Sequence, residues 1–338
     1  MFIVMEPSSS RRDVDRILDV LTGMDAVGYA CHGATQRVIE VLEAGAGLDR
    51  GRLAGLPAVA RVVDEPLGVL GARGGAERET CPVPLGSRAA VGGQRVVVIA
   101  GPCSVEDEGR LVEAANAVAA AGAVALRGGV FKPRTSPYSY QGLGARGLEM
   151  LGRVREQTGL AVVTEVMCSE HVEPVRAVAD VLQVGSRNMH NTPLLKALGE
   201  QDRPVLLKRG WSATLEEFLM AAEYIRQAGN PRVILCERGI RTHERYVRNT
   251  LALAVVPEVK RVSDLPIIVD PSHGTGRADL VAPMSRAAIA CGADGLLIEV
   301  HPVPSRAWSD GAQSLDVAAF RELMAGLGPL AAACSRSL

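Results

Sequence analysis

Eight short apolar runs decide the reading of this chain: VVVIAG (96–101), VALRGG (124–129), AVVTEV (161–166), VLQVG (181–185), PVLLKRG (204–210), VILCERG (233–239), PIIVDPS (266–272) and GLLIEV (295–300). Runs this short, apolar without alternation and bounded by Gly or Pro, predict strands buried on both faces. The stretches between them carry apolar residues at helical spacing and predict crossover helices, with a last helix over Leu315–Leu327. Eight such units predict an α/β fold, the TIM (β/α)8 barrel. An open doubly wound sheet is the rival arrangement. It is disfavoured because no GxGxxG opens a helix after the first run, and because eight units exceed its usual count.

Working outward, residues 1–66 predict a separate α+β unit. FIVM is a short apolar strand, Arg12–Leu21 places Val14, Ile17, Leu18 and Leu21 at helical spacing, AVGYA and RVIEVL read as strands, and a short helix and AVARVV follow. That β-α-β-β-α-β order is ferredoxin-like, and the unit's size suits a ligand-sensing or interaction module better than a catalytic one. Residues 67–93 are Gly- and Pro-rich and predict a linker with a small hairpin, CPVPLG against SRAAVGG; residues 94–338 are then the barrel domain.

The 338 residues carry 47% hydrophobic and 22% charged side chains and a formal charge of -1, which excludes the basic excess of a nucleic-acid binder. The neutral total hides 33 Arg against 4 Lys (Lys132, Lys196, Lys208, Lys260). Seven scattered cysteines predict no disulfide scaffold and a reducing compartment. The apolar start is too short for a signal peptide and no segment is long enough to span a bilayer, so a cytoplasmic protein without membrane partners is expected.

In a TIM barrel the functional face lies at the C-terminal ends of the strands. There the first run presents Cys103; the second Arg127, Lys132, Arg134 and Thr135; the third Glu165; the fourth Arg187; the fifth Lys208 and Arg209; the sixth Glu237 and Arg238; the seventh Asp270 and His273; the eighth Glu299 and His301, followed by Asp310. Up to six cations converge on one rim. Like charges at 4 Å repel by about 4 kcal/mol at an effective dielectric of 20, so their coexistence predicts phosphate or carboxylate groups between them. Lys132 and Lys208 are half of the scarce lysines, which suits a compact ammonium with a movable proton. Closure makes runs seven, eight and one neighbours, so Cys103, His273, Glu299 and Asp310 can meet as a sulfur, nitrogen and oxygen set for a divalent transition ion.

Blander readings stand beside these. A Cys at a strand end is more often core than ligand, His301 suits a supporting or solvent-facing place, Glu237 can pair with its neighbour Arg238, and Cys31–His32 suits plain surface. What raises the four candidate ligands above this background is that all fall on one side of the predicted functional face.

The motifs GPCS (101–104), LRGGVFKPRTSPYSYQGLG (126–144), VTEV, GSRNM, PVLLKRG, ILCERGIRT, DPSHGTG and IEVHP, in this order, resemble the 3-deoxy-D-arabino-heptulosonate 7-phosphate (DAHP) synthase family. The subclass resembled carries a ferredoxin-like regulatory domain before the barrel. The resemblance implies condensation of phosphoenolpyruvate with erythrose 4-phosphate, releasing phosphate, at the entry to aromatic amino-acid biosynthesis. It implies that Arg127, Lys132, Arg187, Lys208 and Arg238 hold phosphoenolpyruvate with Glu165 supporting a water or the network beside it. It further implies that Arg134 and Thr135 hold erythrose 4-phosphate, and that Cys103, His273, Glu299 and Asp310 hold one divalent ion (Mn, Fe, Co or Zn). Lys132 is the implied proton donor. A tyrosine or phenylalanine effector and a homotetramer are also implied. The sibling family making eight-carbon 3-deoxy-octulosonate 8-phosphate reads KANRTS where this chain has KPRTS, and lacks the N-terminal unit; it stays as one alternative, and a non-catalytic amino-acid sensor as another.

Overall fold

A computed structural model describes residues 1–32, 36–65 and 79–338. Residues 33–35, the side chain of His32 and the Gly-rich stretch 66–78, most of the expected linker before its hairpin, lie outside the described residues.

The N-terminal strands β1 (Phe2–Met5), β2 (Val27–His32), β3 (Arg37–Glu43) and β4 (Val59–Val63) form an antiparallel sheet in the order β2-β3-β1-β4, with helices α1 (Arg11–Thr22) and α2 (Arg50–Ala54) between them in sequence. This is the ferredoxin-like arrangement. Helix α1 starts where it does because Ser10 and Asp13 form a reciprocal capping box. Its Val14, Ile17 and Leu21 pack with Ile3, Met5, Ile39 and Leu53 in one apolar cluster.

Strands β5 (Val83–Leu85) and β6 (Ala89–Val91) form a hairpin. The eight strands β7 (Val97–Gly101), β8 (Ala125–Arg127), β9 (Ala161–Val166), β10 (Val181–Val184), β11 (Val205–Lys208), β12 (Val233–Glu237), β13 (Ile267–Val269) and β14 (Gly295–Glu299) close into a parallel barrel. Closure follows from the β14–β7 pairing, which sets Glu299 beside Gly101. The two-residue period of each strand sorts its apolar side chains into two cores. Val97, Ile99, Ala125, Val163, Val181, Leu206, Ile234, Cys236, Ile268 and Leu297 fill the interior, where Val83, Leu85 and Val91 of the hairpin join them. Their sequence neighbours, such as Val98, Leu126, Val162, Leu182, Leu207, Leu235, Val269 and Ile298, pack in the cluster that includes the surrounding helices.

The last helix runs over Val317–Ala333, beyond the expected end at Leu327. Leu327 and Ala331 continue the buried stripe of Phe320, Leu323 and Met324, and that burial outweighs the hydrogen bond lost at Pro329. The seven cysteines are unpaired, with Cys31 exposed and Cys103 buried. Among the described residues no helix is long and apolar enough to cross a membrane.

Candidate active site

The interior-facing phase of the strands continues past their apolar residues into polar ones. Two residues beyond Ala125, Val163, Val181, Leu206, Cys236, Ile268 and Leu297 stand Arg127, Glu165, Gln183, Lys208, Arg238, Asp270 and Glu299, and all seven are buried. The same periodicity that packs the barrel therefore delivers these groups to one end of it. A cavity of about 670 Å³ opens there, and its lining includes Arg127, Lys132, Arg134, Thr135, Glu165, Arg187, Lys208, Arg238, His273 and Asp310. Arg241 and Arg248, which strand-end reading missed, bring the cationic residues of the lining to eight. They come from the long loop after β12, where no periodic cue marks them. Trp211 was missed for the same reason; its ring lies 5.3 Å from the Arg187 guanidinium and 4.6 Å from that of Arg241.

Arg209 and Glu237 are out of phase with the interior set, and this corrects the pairing of Glu237 with Arg238. Glu237 binds Arg209 at 2.9 Å and accepts the Gly239 N–H at 2.6 Å. Arg238 is thereby left free to face the cavity. Its Nη1 is buried with no hydrogen-bond partner among the described residues, and burial pulls its pKa down. Arg127 Nε is likewise buried without a partner among the described residues. Such guanidinium N–H groups are costly to leave unpaired and fit an incoming anion. Lys132, Arg134, Arg187, Arg238 and Arg241 have no carboxylate within 4.0 Å among the described residues.

Cys103, His273, Glu299 and Asp310 meet beside the cavity, which His273 and Asp310 line, with one ligand atom from each all within 4.8 Å of one another. Two ligands about 2.0–2.3 Å from one ion lie at most about 4.6 Å apart, so this donor set fits a single divalent ion after shifts of a few tenths of an ångström. Cys103 Sγ lies 3.1 Å from Asp310 Oδ2, and His273 Nε2 lies 3.2 Å from Glu299 Oε1. The protonation states of His273 and Asp310 suit ligation. Burial lowers the His273 pKa despite the charges of Asp270 and Glu299, leaving a neutral ring. Its Nδ1 lies 2.7 Å from Asp270 Oδ2, so Nδ1 holds the proton and Nε2 offers its lone pair. Lys208 binds the same Asp270 oxygen. Burial alone would raise the Asp310 carboxyl, but His273 and the Cys103 hydrogen bond hold it down to about 2. Burial pushes the Cys103 thiol up to about 12, with Glu299 adding to the rise.

Supporting contacts fix this cluster. Glu299 accepts from Arg127 Nη1 and from Gln313 Nε2, each at 2.6 Å. Lys132 Nζ donates to Cys103 O at 3.0 Å and lies 3.1 Å from Cys103 Sγ. Arg134 Nη1 donates at 3.0 Å to Ser309 Oγ, itself 3.2 Å from Cys103 Sγ. Gly185 leaves room for Glu165, since a Cβ there would lie 2.0 Å from Glu165 Oε1 and that carboxylate would have to move. His301 is 2% exposed, which settles its place as internal and not solvent-facing.

Comparison with known proteins adds a family. Residues 81–331 match the DAHP synthetase I family. A phospho-2-dehydro-3-deoxyheptonate aldolase of Thermotoga maritima is 43% identical over 335 residues, covering 98% of each chain. A 2-dehydro-3-deoxyphosphooctonate aldolase of Nitratidesulfovibrio vulgaris is 35% identical over 238 residues, 65% of this chain and 86% of its own. A crystal structure of the Thermotoga maritima DAHP synthase superposes with TM-score 0.78 at 41% identity over 99% of this chain and 98% of that one. A truncated form of 3-deoxy-D-arabino-heptulosonate 7-phosphate synthase from Thermotoga maritima gives 0.72 at 46% identity, covering 77% and 95%. The chain belongs to the DAHP synthetase I family.

Proposed function

We propose that this member of the family is a transferase that condenses phosphoenolpyruvate with D-erythrose 4-phosphate and water, giving DAHP and inorganic phosphate, the first step of the shikimate pathway. The observation that carries the reading is the cavity and its cations that have no carboxylate partner among the described residues, Lys132 and Arg238 buried, Arg134 half-buried, and Arg187 exposed. Two phosphates and one carboxylate are the anionic groups such a lining can neutralise.

In this reading Arg127, Lys132, Arg187, Lys208 and Arg238 bind the phosphate and carboxylate of phosphoenolpyruvate, and Glu165 orients a water beside them. Arg134 and Thr135 bind the phosphate of the sugar, which points its aldehyde toward the cavity floor. Holding both anions in one cage converts a two-body encounter into an oriented one. Cys103, His273, Glu299 and Asp310 hold a divalent ion, with Mn, Fe, Co and Zn all suited to the mixed set. When bound, that ion supplies Lewis acidity toward the aldehyde oxygen.

The enol-ether C3 then forms a bond to the aldehyde carbon, and a proton is needed at the former aldehyde oxygen. Lys132 supplies it. Burial pulls its ammonium down, but the Cys103 sulfur and nearby carboxylates outweigh that and raise it, so it stays charged and beside the donor cluster. Water adds to the electron-poor C2 and its proton returns to the Lys132 amine; the bond from C2 to the phosphate oxygen then breaks, the C2 hydroxyl becomes the ketone, and its proton leaves with the phosphate. A Lys132→Arg variant, which keeps the charge without the movable proton, should lose most of its turnover; full turnover would remove Lys132 from this role. The N-terminal ferredoxin-like unit, residues 1–66, acts in this proposal as the regulatory domain for tyrosine or phenylalanine on a cytoplasmic homotetramer.

The deciding experiment is phosphate release from phosphoenolpyruvate, measured with and without erythrose 4-phosphate, chelator, each of the four ions and aromatic amino acids. Release that needs the four-carbon sugar and is abolished by chelator supports the proposal. Preference for a five-carbon sugar phosphate would assign the eight-carbon synthase. No release, with aromatic amino-acid binding retained, would make the chain a sensor.

A further inference from the structure

Glu106 is a buried carboxylate, 6% exposed, that none of the chemistry above uses. A charge so placed needs several donors to offset its desolvation, and three separate parts of the rim supply them. Arg110 Nη1, from the helix Glu108–Ala120, donates to Oε2 at 2.8 Å. His301, just past β14, accepts the Val303 N–H on Nδ1 at 3.0 Å, which places its proton on Nε2, 3.4 Å from the same oxygen. The Trp308 backbone N–H donates to Oε1.

That last contact reaches the loop carrying Asp310. The loop is closed at its base by paired backbone bonds, His301 N to Leu315 O and Leu315 N to Glu299 O, both 2.9 Å. Its far side is tied down at Trp308, two residues before Asp310. Asp310 sits in the left-handed region at φ 53°, a conformation that a non-glycine residue keeps only where its surroundings hold it. The Trp308 ring also meets Tyr140 edge-on at 5.1 Å, and the Tyr140 hydroxyl donates to Val105 O, next to Glu106. Arg110, His301 and the Trp308 N–H thus meet on one carboxylate.

We propose that Glu106, seated by His301 and Arg110, is a positioning residue that fixes the Asp310 loop and thereby sets the affinity of the Cys103–His273–Glu299–Asp310 centre for its divalent ion. This inference rests on the metal-centre reading above. Glu106 touches neither the ion site nor the substrates in that reading, and acts through the backbone that carries one ligand.

The test is Co²⁺ binding to the full chain, followed by chelator competition and by the thiolate-to-cobalt and ligand-field absorption bands. Glu106→Gln keeps the shape and removes the charge; its Co²⁺ dissociation constant should rise about 10- to 100-fold, the range seen when partners of metal ligands are removed. The absorption bands should shift with it, and turnover should recover at saturating metal. Arg110→Met, at a partly exposed position, should move both readouts less and in the same direction, and it keeps the test open if Glu106→Gln fails to fold. Affinity and spectrum within about twofold of the parent in the folded variants would overturn the proposal. A parent chain that takes up no Co²⁺ would instead bring down the metal-centre reading, and this proposal with it.

Discussion

Metal binding to this chain should release one proton at neutral pH, and the proton should come from Cys103. Burial, reinforced by Glu299, holds the thiol at about 12, so it is protonated throughout the working range. The other donors are ready beforehand. Burial keeps the His273 ring neutral, the cations and hydrogen bonds around Asp310 hold it at about 2, and Glu299, which burial alone would raise, is lowered by His273 and Arg127. Only the thiol must change state to become a ligand. The sign follows: raising pH lowers the cost of deprotonation, so affinity increases by about tenfold, or about 1.4 kcal/mol, per pH unit below the thiol pKa. Between pH 6.5 and 8.5 the apparent affinity should rise about 100-fold. Competition against a chelator of known pH dependence measures the slope, and calorimetry in buffers of different ionisation enthalpy counts the proton. Cys103→Asn removes the titrating group and should flatten the slope while weakening binding. A flat slope in the parent, or an undiminished slope in Cys103→Asn, would refute the assignment of the proton to Cys103.

Three further outcomes follow. Arg238→Met should raise the KM for phosphoenolpyruvate by about 10- to 150-fold, from the loss of about 1.5–3 kcal/mol of charge-assisted hydrogen bonding; an unchanged KM would place the substrate anion elsewhere. Gly185→Ala would put a methyl 2.0 Å from Glu165 Oε1 and so displace that carboxylate, and kcat/KM should fall by about tenfold or more while the fold survives. Phe320→Ala, at a 1% exposed position on the buried face of the barrel's last helix, should cost about 3–5 kcal/mol in denaturant unfolding with little change in the metal slope.

The legibility of the site varied by element for identifiable reasons. Strand ends are readable because each apolar run stops at a definite residue, and Arg127, Lys208, Arg238 and Glu299 stand there. Reading the two-residue phase as well would have separated Arg238 from its neighbours Arg209 and Glu237, since Ile234 and Cys236 share its phase and the other two face the helices. Gln183 was readable by the same rule. Arg241, Arg248 and Trp211 were not, because they lie in loops whose path carries no periodic signal. Ser309 acts through a contact with Cys103, 206 positions away, and Gln313 reaches back 14 positions to Glu299 across an irregular loop; only assembled geometry reveals such pairings.

The amino-acid sequence by itself determined which segments are strands and helices, and which polar groups stand at the strand ends. Those are local consequences of apolar spacing, turn residues and the pleat. Closure of the barrel decided everything that depends on distance. It brings the end of β14 against β7, so that Glu299 and His273 reach Cys103 and Asp310. It also buries the thiol and the imidazole deeply enough to hold one protonated and the other neutral. The physical reason is that chain spacing governs what a segment becomes, whereas Coulomb interaction, desolvation and metal ligation depend on separations of a few ångströms between residues that are up to about two hundred positions apart.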